Sequence, residues 1–90
     1  MGSLPIAPQV KAVAVEPQHP ERVYVAGPGG VFKSDDAGQT WQAANGGLES
    51  VRVVALSVDP KVQGRVFAGA ADGRVFESDD GGAIWRAWTQ

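Results

Sequence analysis

The chain is written twice, and that fact limits its fold more than any single residue does. Ser34-Asp35-Asp36-Ala37-Gly38-Gln39-Thr40-Trp41 returns as Ser78-Asp79-Asp80-Gly81-Gly82-Ala83-Ile84-Trp85, and each copy follows a Val-Phe pair, Val31-Phe32 and Val75-Phe76. Upstream the copies align at an offset of 43: Val10, Ala12, Val15, Pro17, Arg22 and Val23 fall on Val53, Ala55, Val58, Pro60, Arg65 and Val66. Tyr24 meets Phe67 in the same frame. One residue is inserted near Ala70–Gly73, and the offset is 44 from there on. A period of this length marks a repeat architecture, in which one supersecondary unit covers its neighbour.

Each unit reads as four strands. The first, Val10–Val15 and Val53–Val58, is apolar at nearly every position, which predicts burial on both faces. Glu16-Pro17 and Asp59-Pro60 end it, because proline offers no ladder donor. The second is Arg22–Ala26 and Arg65–Gly69, followed by turns at Gly27-Pro28-Gly29-Gly30 and Ala70-Ala71-Asp72-Gly73. The third is Val31–Ser34 and Arg74–Ser78. The fourth, Thr40–Ala44 and Ile84–Trp88, alternates, with Trp41, Ala43, Trp85 and Ala87 opposed to Gln42 and Arg86. Polarity rises from first strand to fourth, as expected when the first stands at the centre of an assembly and the fourth at its rim. A four-stranded unit of about 40–45 residues with this gradient predicts a propeller blade. The fold class is therefore all-β, as two four-stranded antiparallel blades: residues 10–47 the first, 48–90 the second, and 1–9 an N-terminal remnant and linker.

The repeated octet is a turn-building device. A tight connection leaves backbone N–H groups without ladder partners, and an Asp at its head accepts from N–H groups a few residues on. Asp36 and Asp80 hold that position. Gly38 and Gly82 supply a positive φ at little steric cost. Ser34 and Ser78 add a bond across the turn, and Trp41 and Trp85 place a large apolar body beneath it. Asp35 and Asp79 read as solvated. Two adjacent carboxylates beside glycine suggest a calcium loop, but the alternating ligands and distal Glu of such loops are missing.

The spacing Ser-x-Asp-x-Gly-x-Thr-Trp resembles the Asp-box, or BNR repeat. The first copy (Ser34, Asp36, Gly38, Thr40, Trp41) fits throughout, and the second (Ser78, Asp80, Gly82, Trp85) has Ile84 where Thr is usual. The resemblance implies a β-propeller, the fold of sialidases, sortilin-type receptors, xyloglucanases and photosystem II assembly factors. These proteins share the box and differ in what they do, so it implies no catalytic, cofactor or metal role for these residues.

Other residues do not assemble into an active site. Tyr24 aligns with Phe67, which favours packing over the tyrosine nucleophile of a sialidase. Arg22 and Arg65 occupy equivalent positions beside a strand, which predicts salt bridging or snorkelling rather than an arginine cluster. The Arg-Ile-Pro segment of sialidases is absent. His19, the only histidine, reads as a solvated turn residue. Trp88 replaces Ala44 of the first unit and reads as a cover for the last blade or for a subunit boundary. No convergent acid and base accompany these residues, so the chain is read as no enzyme and as needing no cofactor.

The chain is short at 90 residues, with a net charge of −2 and 20% charged residues, so nothing marks a nucleic-acid or anionic membrane surface. It has no cysteine, which excludes disulfide staples and thiolate metal sites. No apolar run approaches the ~20 residues of a membrane span. Met1-Gly2-Ser3 lacks the basic and apolar regions of a signal peptide and reads as an expression-vector remnant.

Two blades leave apolar faces uncovered, and about three repeats are usually needed for a stable stack. The expected remedy is cyclic head-to-tail association of the chain with itself, a trimer of six blades first and a tetramer of eight next. Three functions are in view: self-assembly alone, glycan or protein binding, and an inactive fragment of a sialidase-like or xyloglucanase-like glycosidase.

Overall fold

A computed structural model describes residues 10–27, 30–48 and 51–88. All regular structure among them is β: β1 Ala12–Glu16, β2 His19–Gly27, β3 Gly30–Ser34 and β4 Gln42–Ala43, then β5 Val53–Val58, β6 Val66–Ala70, β7 Val75–Ser78 and β8 Arg86–Ala87. They form two antiparallel meanders in the order β1-β2-β3-β4 and β5-β6-β7-β8, one per sequence repeat. No helix among the described residues is long and apolar enough to cross a membrane.

The register shows which residues share a face. In the first sheet Ala12 stands opposite Ala26 and Ala14 opposite Tyr24, while Val31 stands opposite Ala26. In the second, Leu56 stands opposite Ala68, Val58 opposite Val66, and Phe76 opposite Ala68. Opposed residues lie on one side of a pleated sheet, and these two sides face each other. The buried cluster is drawn from them: Tyr24, Ala26 and Val31 against Val66, Ala68 and Phe76. Leu48, in the link between the sheets, is wholly buried. The core is therefore one layer of side chains between two sheets.

The other faces have no second sheet against them. Val13 and Val15 of β1 are 57% and 47% exposed. Their repeat partners Leu56 and Val58 are half-buried against the core. Burial of the first strand on both faces is thus not what the single chain has, because a strand's second face needs a second neighbouring sheet.

Of the expected strands only Val53–Val58 keeps both its limits. The fourth strands shrink to Gln42–Ala43 and Arg86–Ala87. β2 begins at His19, which is a strand residue registered against Glu16 and not a turn residue. The Gly-Pro-Gly-Gly connection falls partly on Pro28 and Gly29, outside the described residues, as do the segment 1–9 and the link residues Glu49 and Ser50. The Ala70–Gly73 turn has Gly73 at φ 94, closed by a bond from its N–H to the Ala70 carbonyl at 3.0 Å.

Candidate functional site: two polar turns and the seam between the sheets

Both repeated octets fold into the same hydrogen-bonded turn. In the first, Ser34 Oγ accepts from the Asp36 N–H at 3.2 Å and the Gly38 N–H at 2.8 Å, and donates to Asp36 Oδ1 at 2.7 Å. Asp36 then accepts from the Thr40 N–H at 2.9 Å and, through Oδ2, from the Thr40 hydroxyl at 2.6 Å. In the second, Ser78 Oγ accepts from the Asp80 and Gly82 N–H groups at 3.4 and 2.9 Å and donates to Asp80 Oδ1 at 2.7 Å. Asp80 accepts from the Ile84 N–H at 3.1 Å. Ser34, Asp36, Gly38 and Thr40, and Ser78, Asp80 and Gly82, are thus occupied in closing their own turns.

Electrostatics follow those bonds. The Thr40 hydroxyl, then the Thr40 N–H and Ser34, hold the Asp36 carboxyl down at about 2. Asp80 is lowered too, first by the Ser78 hydroxyl and then by the Ile84 N–H. Ile84 has no hydroxyl to add, which is the chemical consequence of its standing where the first repeat has Thr40. Gly38 and Gly82 have φ of 92° and 90°. The position before each also lies in the left-handed region, Gly81 at 73° and Ala37 at 63°, so the first turn places an alanine where glycine is easier.

The two tryptophans do different things from the same repeat position. Trp41 is half-buried, and its indole N–H donates to the Gly38 carbonyl of its own turn at 3.1 Å. Trp85 is 4% exposed, and its indole N–H crosses to the Ala44 carbonyl of the first sheet at 2.7 Å. Its backbone N–H bonds the Gly46 carbonyl at 2.8 Å, and Gly46 and Ile84 form a parallel bridge. Gly82 lies so close to Ala44 that a Cβ on it would meet the Ala44 Cβ at 3.1 Å. Trp85 is therefore part of a seam between sheets, beyond the turn-filling role expected from sequence, whereas Trp41 has no sheet to cross to.

The remaining polar residues are structural pairs. Arg22 Nε bonds Asp35 at 3.2 Å, and Arg65 Nε bonds Glu77 at 2.7 Å while its guanidinium lies 5.4 Å from the Phe67 ring centre. Asp79 pairs with Arg86. His19 Nδ1 is 3.5 Å from Glu21. Tyr24 is buried throughout, and burial raises its hydroxyl pKa. Its hydroxyl and Glu16 Oε2 are buried without a hydrogen-bond partner among the described residues. Nothing in the sequence signals this burial of Glu16, whose repeat partner Asp59 instead accepts the Lys61 N–H at 2.8 Å. Trp88 packs edge-on to Phe67, with ring centres 6.0 Å apart. No group of three or more His, Asp or Glu able to hold a metal occurs among the described residues. A hollow of about 350 Å³ at one end of the second sheet is lined by Arg52, Ala70, Ala71, Asp72 and Arg74.

No family model matches the sequence, and no curated protein matches it either. Solved structures do match its fold. YCF48 from Cyanidioschyzon merolae superposes over 98% of the chain with a TM-score of 0.70 and 18% identity, and the chain spans 26% of that protein. An ancestral GH74 enzyme superposes over 96% with a TM-score of 0.78 and 21% identity, with 13% of its own length taken up. YCF48 bound to D1 peptide matches over 97%, with a TM-score of 0.73, 16% identity and 28% of its length. All are β-propeller proteins, and the two sheets have the fold of a propeller segment. The chain spans between 13% and 28% of the length of these proteins.

Proposed function

We propose that the 90-residue chain is a non-catalytic Asp-box propeller segment whose activity is association with copies of itself into a closed propeller. One observation carries the reading: equivalent positions of the first strand are half-buried at the inner seam and open at the outer face. Leu56 and Val58 meet the first sheet, while Val13 and Val15 stand exposed. The face has the form that a further repeat would cover, and the occupant proposed here is a second copy of the chain. Covering one face leaves the same face open further along, so association continues until rotation closes the ring. Three copies give six blades and four give eight. Native mass spectrometry and light scattering test this against the chain mass of 9.4 kDa. A folded monomer at micromolar concentration overturns it.

The absence of enzymatic activity is part of the proposal. Its support is that Asp36 and Asp80 are engaged in their own turns, and that Tyr24 is buried in the core. No hydrolysis of sialosides, xyloglucan or aryl glycosides is expected. Turnover abolished by a change at Tyr24 or Arg22 overturns that part.

Partner binding is a second reading, favoured by the hollow at Arg52 and Arg74. Arg74 is paired with Asp72 at 2.8 Å, whereas Arg52 has no ion-pair partner among the described residues. One of the structural neighbours is YCF48 bound to D1 peptide. A peptide with a free C-terminal carboxylate, titrated against the chain and its Arg52→Ala variant, distinguishes this reading from assembly alone.

A further inference from the structure

Resting on the assembly reading, we infer that the junction between copies is head-to-tail, and that Trp41 of one copy donates its indole N–H to the main-chain carbonyl of Trp88 in the next. The inner seam is the template. There, the side of the second sheet bearing Leu56, Val58 and Trp85 meets the side of the first bearing Ala14, Tyr24 and Ala44. The repeat places Val13, Val15 and Trp41 at the positions of Leu56, Val58 and Trp85. It places Ser57, Phe67 and Trp88 at those of Ala14, Tyr24 and Ala44. Each chain therefore carries one uncovered half of each kind, on opposite outer faces.

The state of these residues agrees with that assignment. Tyr24 is wholly buried at the inner seam, and its counterpart Phe67 is only half-buried. Trp88 lies edge-on to Phe67 and is 38% exposed, and the two rings form an apolar wall bordered by the Arg65 guanidinium, 5.4 Å from the Phe67 ring centre. Trp41 bonds the carbonyl of its own Gly38, whereas Trp85 bonds across the seam. A second copy would offer Trp41 the partner that Ala44 offers Trp85. Two halves of different composition fit a heterologous contact, because a twofold contact would set Val13 and Val15 against themselves and leave the Phe67–Trp88 wall bare.

Two blocked variants test it. Val13→Asp blocks one half and Ala55→Asp the other; both residues are exposed in the single chain, so neither change disturbs its core. Each alone should be a folded monomer by circular dichroism and light scattering. Mixed in equal amounts, they should form a pair containing one of each, with tryptophan emission moved to the blue. Trp41→Phe placed in the Ala55→Asp member should reduce the shift to the part that Trp88 contributes and weaken the pair roughly fivefold to tenfold. The same change in the Val13→Asp member should leave the pair unaltered. Val15→Lys and Ser57→Lys repeat the pairing at two other exposed positions. A wild-type chain that stays monomeric overturns assembly itself. An associating wild type overturns only this seam if a blocked variant dimerises alone, if the mixture stays monomeric, or if Trp41→Phe acts equally in both members.

Discussion

Trp85→Phe and Trp41→Phe are the same change at the same repeat position, and the structure requires different costs. Trp85 is 4% exposed, and its N–H reaches the Ala44 carbonyl at 2.7 Å across the seam. Phenylalanine leaves that acceptor unpaired in a dry layer, at about 1–3 kcal/mol. The missing part of the indole leaves a void worth about 1 kcal/mol more. Trp41 is half-buried and bonds its own turn, where water replaces the lost donor, so its loss costs about 0–1 kcal/mol in an unassembled chain. The comparison is made in the Val13→Asp background, which keeps association from masking the difference. Urea unfolding followed by circular dichroism gives both numbers, and Trp85→Phe should be the less stable variant by about 2 kcal/mol. Equal losses, or a larger loss at Trp41, would mean that the two sheets do not share the seam described here.

Acid should act through the first turn. The Asp36 carboxyl sits at about 2 in the folded chain against an ordinary 3.8, so its stabilising bonds are intact above pH 3.8 and are lost as pH falls through about 2. Asp36→Asn should flatten urea stability across that window and leave it unchanged in pH dependence above it. Ala37→Gly removes a left-handed alanine at φ 63° and should raise stability by up to about 1 kcal/mol, the strain relieved being partly offset by unfolded-state entropy. Ser78→Ala strips the acceptor from the Gly82 N–H, at 2.9 Å in a buried setting, and should cost about 1–3 kcal/mol by the same unfolding assay.

The fold was legible because the repeat carries it. Val31-Phe32-Lys33-Ser34 followed by Asp36 and Gly38 encodes strand and turn locally, and duplication gives the second sheet by the same means. The fourth strands are shorter than their alternation predicts because Thr40 spends its N–H and hydroxyl on Asp36, and Ile84 its N–H on Asp80, so the ladder resumes only at Gln42 and Arg86. The different environments of Trp41 and Trp85 were not legible, since identical residues in identical motifs differ only in whether a sheet lies beside them. Glu16 shows the same limit from the polar side. Its burial depends on packing around the end of β1, and its repeat partner Asp59 has a turn to cap instead.

Ring size depends on where bulk sits in each seam. β1 and β5 contact each other and lead their sheets, while β4 and β8 end them, so the first strands are inner and the fourth outer. At the inner seam Ala14, Ala26 and Ala44 share the load from inner strand to outer. Between copies their counterparts are Ser57, Gly69 and Trp88, smaller at the second strand and far larger at the fourth. A large side chain at the outer edge opens the wedge between blades, and a wider wedge closes the circle with fewer of them. Six blades from three chains are therefore expected before eight from four. Trp88→Ala restores the residue of the inner seam at this position and should shift the native mass from three chains toward four. Because Trp88 is 38% exposed and ends its sheet, the change should leave the single chain folded. A variant that keeps three chains would show that the outer edge does not set the wedge, and that the inner strands fix the number of blades.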